Sequence, residues 1–366
     1  MKKALSILLC LSLLIVMVGC GGQSDKDGQA NENSSTPTSS NQNSSTPTSS
    51  NQNSSTSTNS GKGEGDNVFK LTAAKTITKF DDMNTVVICW GDSITQGMAM
   101  GKGYTYPQHL QGQIGSAYRV INAGVPGETS EAILSRANAI EICLTNEVKF
   151  AKGEKQVALD RNLFKMVGAD APLTYKGFGN ELKLTNVIIG GKNYTIEFER
   201  GAEYDQGTYH LTRKDTANAL TIAAGTKVQF DYSSQYKKNH CNVIYIGGND
   251  GKLTAEVIIN KYKKLTALNP NYIVIIPHYS ENDLAKEFKA EFGDKALDIR
   301  EYMIKQAHID YNVELTDMDG YCVKKNMVPA SYSYKNQKGD AHLNELGYKI
   351  LADQVYKKGV ELGYWK

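Results

Sequence analysis

A serine after one apolar run, an asparagine after another, and a histidine just ahead of the last helical pattern are residue types that acyl transfer requires. The serine is Ser93 in Gly91-Asp92-Ser93-Ile94-Thr95, which follows Thr85-Val86-Val87-Ile88-Cys89-Trp90. Asn249 stands in Gly247-Gly248-Asn249-Asp250, and His342 in Asp340-Ala341-His342-Leu343-Asn344-Glu345-Leu346-Gly347-Tyr348. A further block, Asn122-Ala123-Gly124-Val125-Pro126-Gly127-Glu128-Thr129, puts Gly127 where backbone can approach a ligand closely and offer its amide hydrogen. Ester chemistry needs an activated nucleophile, a base, and donors for the oxyanion of the tetrahedral intermediate. Ser93, His342 and the pair Gly127 and Asn249 supply those groups. Singly, each block has an ordinary reading. Gly-Asp-Ser is short. The glycine-rich stretch is a strand-to-helix turn with Thr129 or Ser130 as the cap. Asn249 suits a tight turn, and a single histidine is usually a surface or core residue. Order and position after strand-like runs are what join them.

The elements that would position these residues read as alternating strands and helices. Strand-like runs are Thr85–Trp90, Ser116–Ile121, Val243–Ile246 and Tyr272–Ile276. Helical patterns cover Ser130–Ile140, Leu253–Thr266, Leu284–Ala290, Ile299–Ala307 and Leu346–Glu361. Apolar strands alternating with helices predict a parallel sheet covered on both faces. Residues 148–236 break the rhythm with short alternating strands: Glu181–Ile189, Tyr194–Glu199, Thr208–Thr212, Ala219–Ile222 and Lys227–Tyr232. The turn signal Gly190-Gly191-Lys192-Asn193 belongs to a hairpin. This stretch reads as a small all-β insertion in the α/β domain. Helix Ser130–Ile140 should run away from the serine, so the insertion should leave from the opposite pole. It is either a carbohydrate- or wall-binding module or a packing and dimerisation elaboration.

The four blocks, in this order, resemble the SGNH or GDSL-type hydrolase family. The resemblance covers Thr85–Lys366 apart from the insertion. It implies a flavodoxin-like three-layer α/β/α sandwich with a five-stranded parallel sheet. It also implies Ser93 as nucleophile, His342 as base, and an oxyanion hole from the amides of Ser93 and Gly127 with the Asn249 side chain. No metal or organic cofactor is implied. One departure stands out. The family usually places an Asp three residues before the His, and here that position is Gly339, with Asp340 two before. Either the local backbone bulges so that Asp340 orients His342, or a main-chain carbonyl does so and the site is a Ser-His dyad.

Residues 1–20 read as a signal rather than as fold. Lys2 and Lys3 precede the apolar run Ala4–Val18, which is short for a membrane span. Its end, Met17-Val18-Gly19-Cys20, resembles a bacterial lipobox. That implies cleavage before Cys20, diacylation of Cys20, and an extracytoplasmic protein anchored to the cell membrane; the plainer reading is a signal peptide with an incidental cysteine. Residues 21–67 follow as a Ser/Thr/Asn-rich tether in which Asn33–Gln42 is repeated unchanged at Asn43–Gln52. Such a composition cannot offset its chain entropy by burial. About 45 flexible residues span roughly 35–40 Å. The hydrolase domain is expected over 68–366.

The chain has 366 residues, 40 % apolar and 22 % charged, with net charge +2, and it shows no basic stripe inviting nucleic acid. Of six cysteines, Cys89, Cys143, Cys241 and Cys322 remain beyond the signal and Cys20. No Cys/His cluster has zinc-site spacing. Trp90, Met98, Met100, Tyr104, Tyr106, His278 and Tyr279 fall near strand ends as candidate sugar contacts or core residues. No long apolar lid suits a fatty acyl chain. The expected substrate is therefore an O-acetylated polysaccharide, of plant type such as xylan or the wall peptidoglycan. A lipid-directed esterase or lysophospholipase is the enzyme alternative. A surface glycan-binding protein that uses the hydrolase domain as scaffold is the alternative of another class.

Overall fold

The computed structural model describes residues 85–97, 104–160, 162–173, 185–200, 207–230, 239–279 and 284–366. The expected signal segment, Cys20, the tether, Met98 and Met100 lie outside the described residues. Strand β1 (Val86–Gly91) leads into a single helical turn α1 (Ser93–Gln96), then α2 (Tyr106–Ile114), β2 (Arg119–Gly124) and α3 (Ser130–Arg136). Nine strands follow: β3 (Ile142–Leu144), β4 (Val148–Phe150), β5 (Gln156–Leu159), β6 (Phe164–Met166), β7 (Thr185–Ile189), β8 (Lys192–Arg200), β9 (Gly207–Thr212), β10 (Leu220–Ile222) and β11 (Lys227–Phe230). The α/β alternation then resumes with β12 (Cys241–Tyr245), α4 (Ala255–Thr266), β13 (Tyr272–Ile275), α5 (Ala285–Phe292), β14 (Ala296–Leu297), α6 (Ile299–Lys305) and α7 (Ala307–Asp310). Helices α8 (Asp317–Lys324) and α9 (Glu345–Glu361) complete it.

The protein is a mixed α/β chain with a five-stranded parallel sheet. The strand order is β14-β13-β12-β1-β2, and every pair is parallel. The chain therefore winds outward in both directions from β1. Alternation along β1 serves both faces. Val86, Ile88 and Trp90 join a cluster with Ile133 of α3, Tyr262 of α4 and Phe288 of α5. Val87 and Cys89 face the other way, onto Leu110 of α2, Met303 of α6 and Leu351 of α9. Two-sided burial explains why these strands read as continuous apolar runs. Each fully buried aliphatic side chain contributes about 1.5–3 kcal/mol before entropy is counted.

Between α3 and β12 the strands form a seven-stranded antiparallel sheet, β5-β9-β8-β7-β11-β3-β6, and a separate pair, β10-β4. Its apolar residues, such as Leu144, Phe164 and Phe230, belong to the same cluster as Trp90 and Ile133. The chain departs after α3, where Asn138 takes a left-handed φ of 52°. That residue ends the helix at Arg136, short of the expected Ile140. The Asn138 side chain then donates to the Phe230 carbonyl and accepts from the Phe230 amide, both at 3.0 Å. The return is at the start of the parallel sheet, where the His240 amide donates to the Val86 carbonyl at 2.8 Å. Strand pairing begins at Ile142, earlier than the expected 148. The sequence between 142 and 166 breaks into three- and four-residue strands, too short to show a period.

Other differences from the sequence reading are local. Gly115–Ala117 is a 3-10 turn, so β2 starts at Arg119 and continues through Gly124. Helix Ile299–Ala307 is two pieces, with Gln306 outside helical geometry between them. All four described cysteines are buried and unpaired. Among the described residues, no helix is long and apolar enough to cross a membrane.

Candidate active site

Ser93 sits two residues beyond the end of β1, at the carboxyl edge of the sheet and beside the gap where the strand order reverses. In open α/β sheets this is where ligands bind. Two glycines make the position attainable. Gly91 and Gly124 are partners across β1 and β2. A Cβ on Gly91 would lie 2.0 Å from Thr95 Oγ1, and one on Gly124 would lie 2.2 Å from the Gln96 amide nitrogen. Only glycine at both lets the α1 turn fold back over the strand ends. Asp92 caps that turn, its Oδ1 accepting from the Ile94 amide at 3.0 Å.

The serine hydroxyl lies 3.0 Å from His342 Nε2. His342 Nδ1 lies 3.1 Å from Asp340 Oδ1, and the same oxygen accepts from the His342 amide at 2.9 Å. A carboxylate only accepts, so Nδ1 carries the hydrogen and Nε2 is left to accept from the Ser93 hydroxyl. That is the arrangement a general base needs. Of the two ways of orienting His342, it is the carboxylate that faces Nδ1. Gly339, at a φ of 75°, supplies the bend that brings a residue only two positions away into reach. His342 and Asp340 are partly open, with side chains 28 % and 24 % exposed.

Three strand-end turns are tied around Ser93. Asp92 Oδ2 accepts from the Gly248 amide at 3.2 Å, joining the β1 and β12 turns. Asn249 Nδ2 donates to the Glu128 carbonyl at 2.9 Å, joining the β12 and β2 turns. The Ser130 amide donates to Asp250 Oδ1 at 2.7 Å, and Asp250 Oδ2 meets Lys261 Nζ at 3.0 Å. The Asn249 amide has two hydrogens, and the bond to Glu128 uses one. Gly127, φ 77°, is the neighbour of Glu128 in the same turn. Glu128 is itself locked by Arg136, whose Nε lies 2.9 and 2.7 Å from its two carboxylate oxygens and whose Nη2 donates to the Ala123 carbonyl at 3.0 Å. Both side chains are fully buried and the guanidinium lies 5.8 Å over the Trp90 ring.

No family model matches the chain. No curated protein matches it significantly either. The site therefore stands on its geometry.

Two residues take roles here that the sequence alone does not assign to them. Asp92 is buried, and burial pushes its carboxyl up to about 6, against the amide bonds from Ile94 and Gly248 and the charge of His342. His278 is buried just beyond β13 and holds the loop that carries His342. The Ala341 carbonyl only accepts, so His278 Nε2–H donates to it at 3.0 Å, and Nδ1 accepts from the Tyr245 hydroxyl. Burial lowers His278 to about 4, which keeps it neutral. Both roles rest on bonds spanning more than sixty positions. Of the candidate sugar contacts, Trp90 and Tyr106 are core residues, 2 % and 0 % exposed, and Trp90 Nε1 is spent on Asn242 Oδ1 at 3.2 Å. Tyr104 is exposed. Among the described residues, no group of three or more His, Cys, Asp or Glu is placed to hold a metal ion.

Proposed function

We propose that this chain is a serine esterase of the SGNH or GDSL type that removes O-acetyl groups from a polysaccharide. The observation that carries the reading is the relay from Asp340 through His342 to the Ser93 hydroxyl at the edge of the parallel sheet. The strand order, 2-1-3-4-5 when the parallel strands are numbered along the chain, supports a flavodoxin-like three-layer sandwich. The Met17–Cys20 segment supports a lipid anchor on Cys20 outside the cytoplasm.

In this mechanism His342 Nε2 takes the Ser93 proton as Oγ attacks the ester carbonyl. The oxyanion accepts from the amides of Ser93 and Gly127 and from the second hydrogen of Asn249 Nδ2. Ser93 is the first residue of α1, so its amide has no partner within the helix. His342 then gives its proton to the departing sugar hydroxyl, leaving an acetyl-serine. Water attacks that ester, losing its proton to His342, and acetate leaves as Ser93 regains a hydrogen. Asp340 holds the imidazole in place and offsets its transient charge.

The test is hydrolysis of aryl acetate, butyrate and octanoate by the purified protein, with Ser93→Ala as the blank. Serine-dependent turnover that falls steeply beyond acetate supports the deacetylase. Turnover that rises with chain length moves the substrate to lipid esters. Equal rates in the protein and its Ser93→Ala variant refute the assignment.

A further inference from the structure

The turn that carries Asn249 is held from both ends. Gly247-Gly248-Asn249-Asp250 closes on itself, the Asp250 amide donating to the Gly247 carbonyl at 3.3 Å. At its front, the Gly248 amide is fixed on Asp92. At its back stands Asp250, whose side chain is 1 % exposed and takes no part in the proposed bond-making steps. Each of its carboxylate oxygens has a separate partner. Oδ1 accepts from the amide of Ser130, the first residue of α3, and Oδ2 pairs with Lys261 of α4. The Lys261 side chain is 13 % exposed and meets Glu131 Oε1 at 2.6 Å. Asp250, Lys261 and Glu131 thus form one ion-paired chain that joins the β12 turn to α3 and α4.

The register of these bonds matters more than their number. Asn249 Nδ2 donates to the Glu128 carbonyl, and the next residue, Asp250, accepts from the Ser130 amide two positions further on. The two bonds run in opposite directions between the same two turns, so neither turn can slide along the other without breaking both. With one Asn249 hydrogen held by Glu128, the aim of the second depends on where the residue's backbone stands. A misplacement of about 1 Å can cost about 100-fold in rate.

We propose that Asp250 is the positioning residue for Asn249, holding its second amide hydrogen where the oxyanion forms. The inference rests on the esterase reading, in which Asn249 is an oxyanion donor. Asp250 acts only through its neighbour, because its own carboxylate is spent on Ser130 and Lys261. The position calls for a carboxylate, which accepts at both oxygens. An asparagine there that kept its oxygen on the Ser130 amide would turn its hydrogens toward the Lys261 ammonium.

The test is steady-state hydrolysis of 4-nitrophenyl acetate by the full chain, with the Ser93→Ala rate subtracted and Tm measured alongside. Asn249→Ala should lower kcat by about 100- to 1,000-fold, the loss of one oxyanion donor. Asp250→Ala should lower kcat by about 10- to 100-fold, with KM within about twofold of wild type. Asp250→Asn keeps an oxygen for the Ser130 amide, and Lys261→Met keeps the whole carboxylate, so each should lose only about 5- to 10-fold. The deciding comparison is Asn249→Ala/Asp250→Ala, which should lie within about threefold of Asn249→Ala alone. A residue that served the fold only would lower the rate equally in both backgrounds. If Asp250→Ala does not fold, Asp250→Asn takes its place in both comparisons. Equal losses in the two backgrounds, a loss carried by KM, or an Asp250 variant within about threefold of wild type would overturn the proposal and leave the esterase standing. Wild-type turnover no greater than that of Ser93→Ala would remove the esterase reading and this role with it.

Discussion

Asp340→Asn isolates the contribution of one charge. In many relays this substitution also lets the amide turn and present a hydrogen to the imidazole, which traps the wrong tautomer. Here the His342 amide donates to the same Oδ1 that faces Nδ1. An asparagine that turned its Nδ2 inward would set donor against donor twice, so its oxygen stays in place and the tautomer survives. What is lost is attraction between carboxylate and transient imidazolium. Two such charges about 4 Å apart interact by about 1 kcal/mol in water and about 4 kcal/mol at an effective dielectric near 20. With both side chains about a quarter exposed, the site lies between these limits. A loss of about 1.5–3 kcal/mol corresponds to a kcat lower by about 10- to 100-fold. Steady-state hydrolysis of 4-nitrophenyl acetate reads it, with KM and Tm close to wild type. A loss under about threefold would mean that the carboxylate does not serve His342, and one beyond about 10,000-fold would mean that the tautomer is not held as argued.

Further outcomes follow from other parts of the site. Gly124→Ala places a methyl against the Gln96 backbone nitrogen, which has no freedom to retreat, so turnover should be lost and Tm should fall; a variant with wild-type activity would refute the close-approach argument. Glu128→Gln leaves the buried Arg136 without its carboxylate and should cost about 3–5 kcal/mol in denaturant unfolding. Restored stability in Glu128→Gln/Arg136→Met would attribute that cost to the stranded charge. His278, held neutral near 4 against an ordinary value of about 6.5, contributes stability that is present above 6.5 and lost as pH falls through 4. Tm should therefore drop over that window, and less so in His278→Gln. Asp92 has the opposite sign: its carboxyl, raised to about 6, contributes stability that is full below about 4 and lost as pH rises through 6. Ionised Asp92 is the form that accepts from both Ile94 and Gly248, so activity should rise with pH across the same interval in which this stability contribution fades. Because His278 moves Tm the other way over an overlapping interval, the Asp92 part is read as the Tm difference from Asp92→Asn, and a difference that moved in wild type's favour as pH rises through 6 would contradict the assignment.

Much of this site is legible in the sequence because its parts fall at strand ends. An apolar run that stops at Gly-Asp-Ser or Gly-Gly-Asn marks the carboxyl edge of a buried parallel strand, and β1 and β12 are such runs. Spacing was a weaker guide at Asp340, where the bend at Gly339 substitutes for the missing position. Helix α2 escaped notice although its signal was present: Thr105 and Gln108 form a capping box, and Pro107 stands in the first turn. Helix α8 carries the same kind of signal in Thr316 and Asp319. Strand β14, at two residues, is below the length at which any period exists. The roles of Asp92 and His278 could not be read from pattern, although both residues fall at strand ends, because what sets those roles is the partner each meets across the fold.

Ser93 and His342, the proposed nucleophile and base, are 249 positions apart, and His342 stands only a few residues ahead of α9. A ribosome delivers the chain in the other direction, so Ser93 emerges long before anything can activate it. The whole antiparallel region and most of the parallel sheet must be made, and α9 must come to rest on α2, before the hydroxyl has an acceptor. If the proposed esterase reading holds, no nascent or truncated form ending before His342 can carry out the reaction. On the esterase reading the order of the blocks acts as a timing device, keeping the chain chemically silent until His342 has been made.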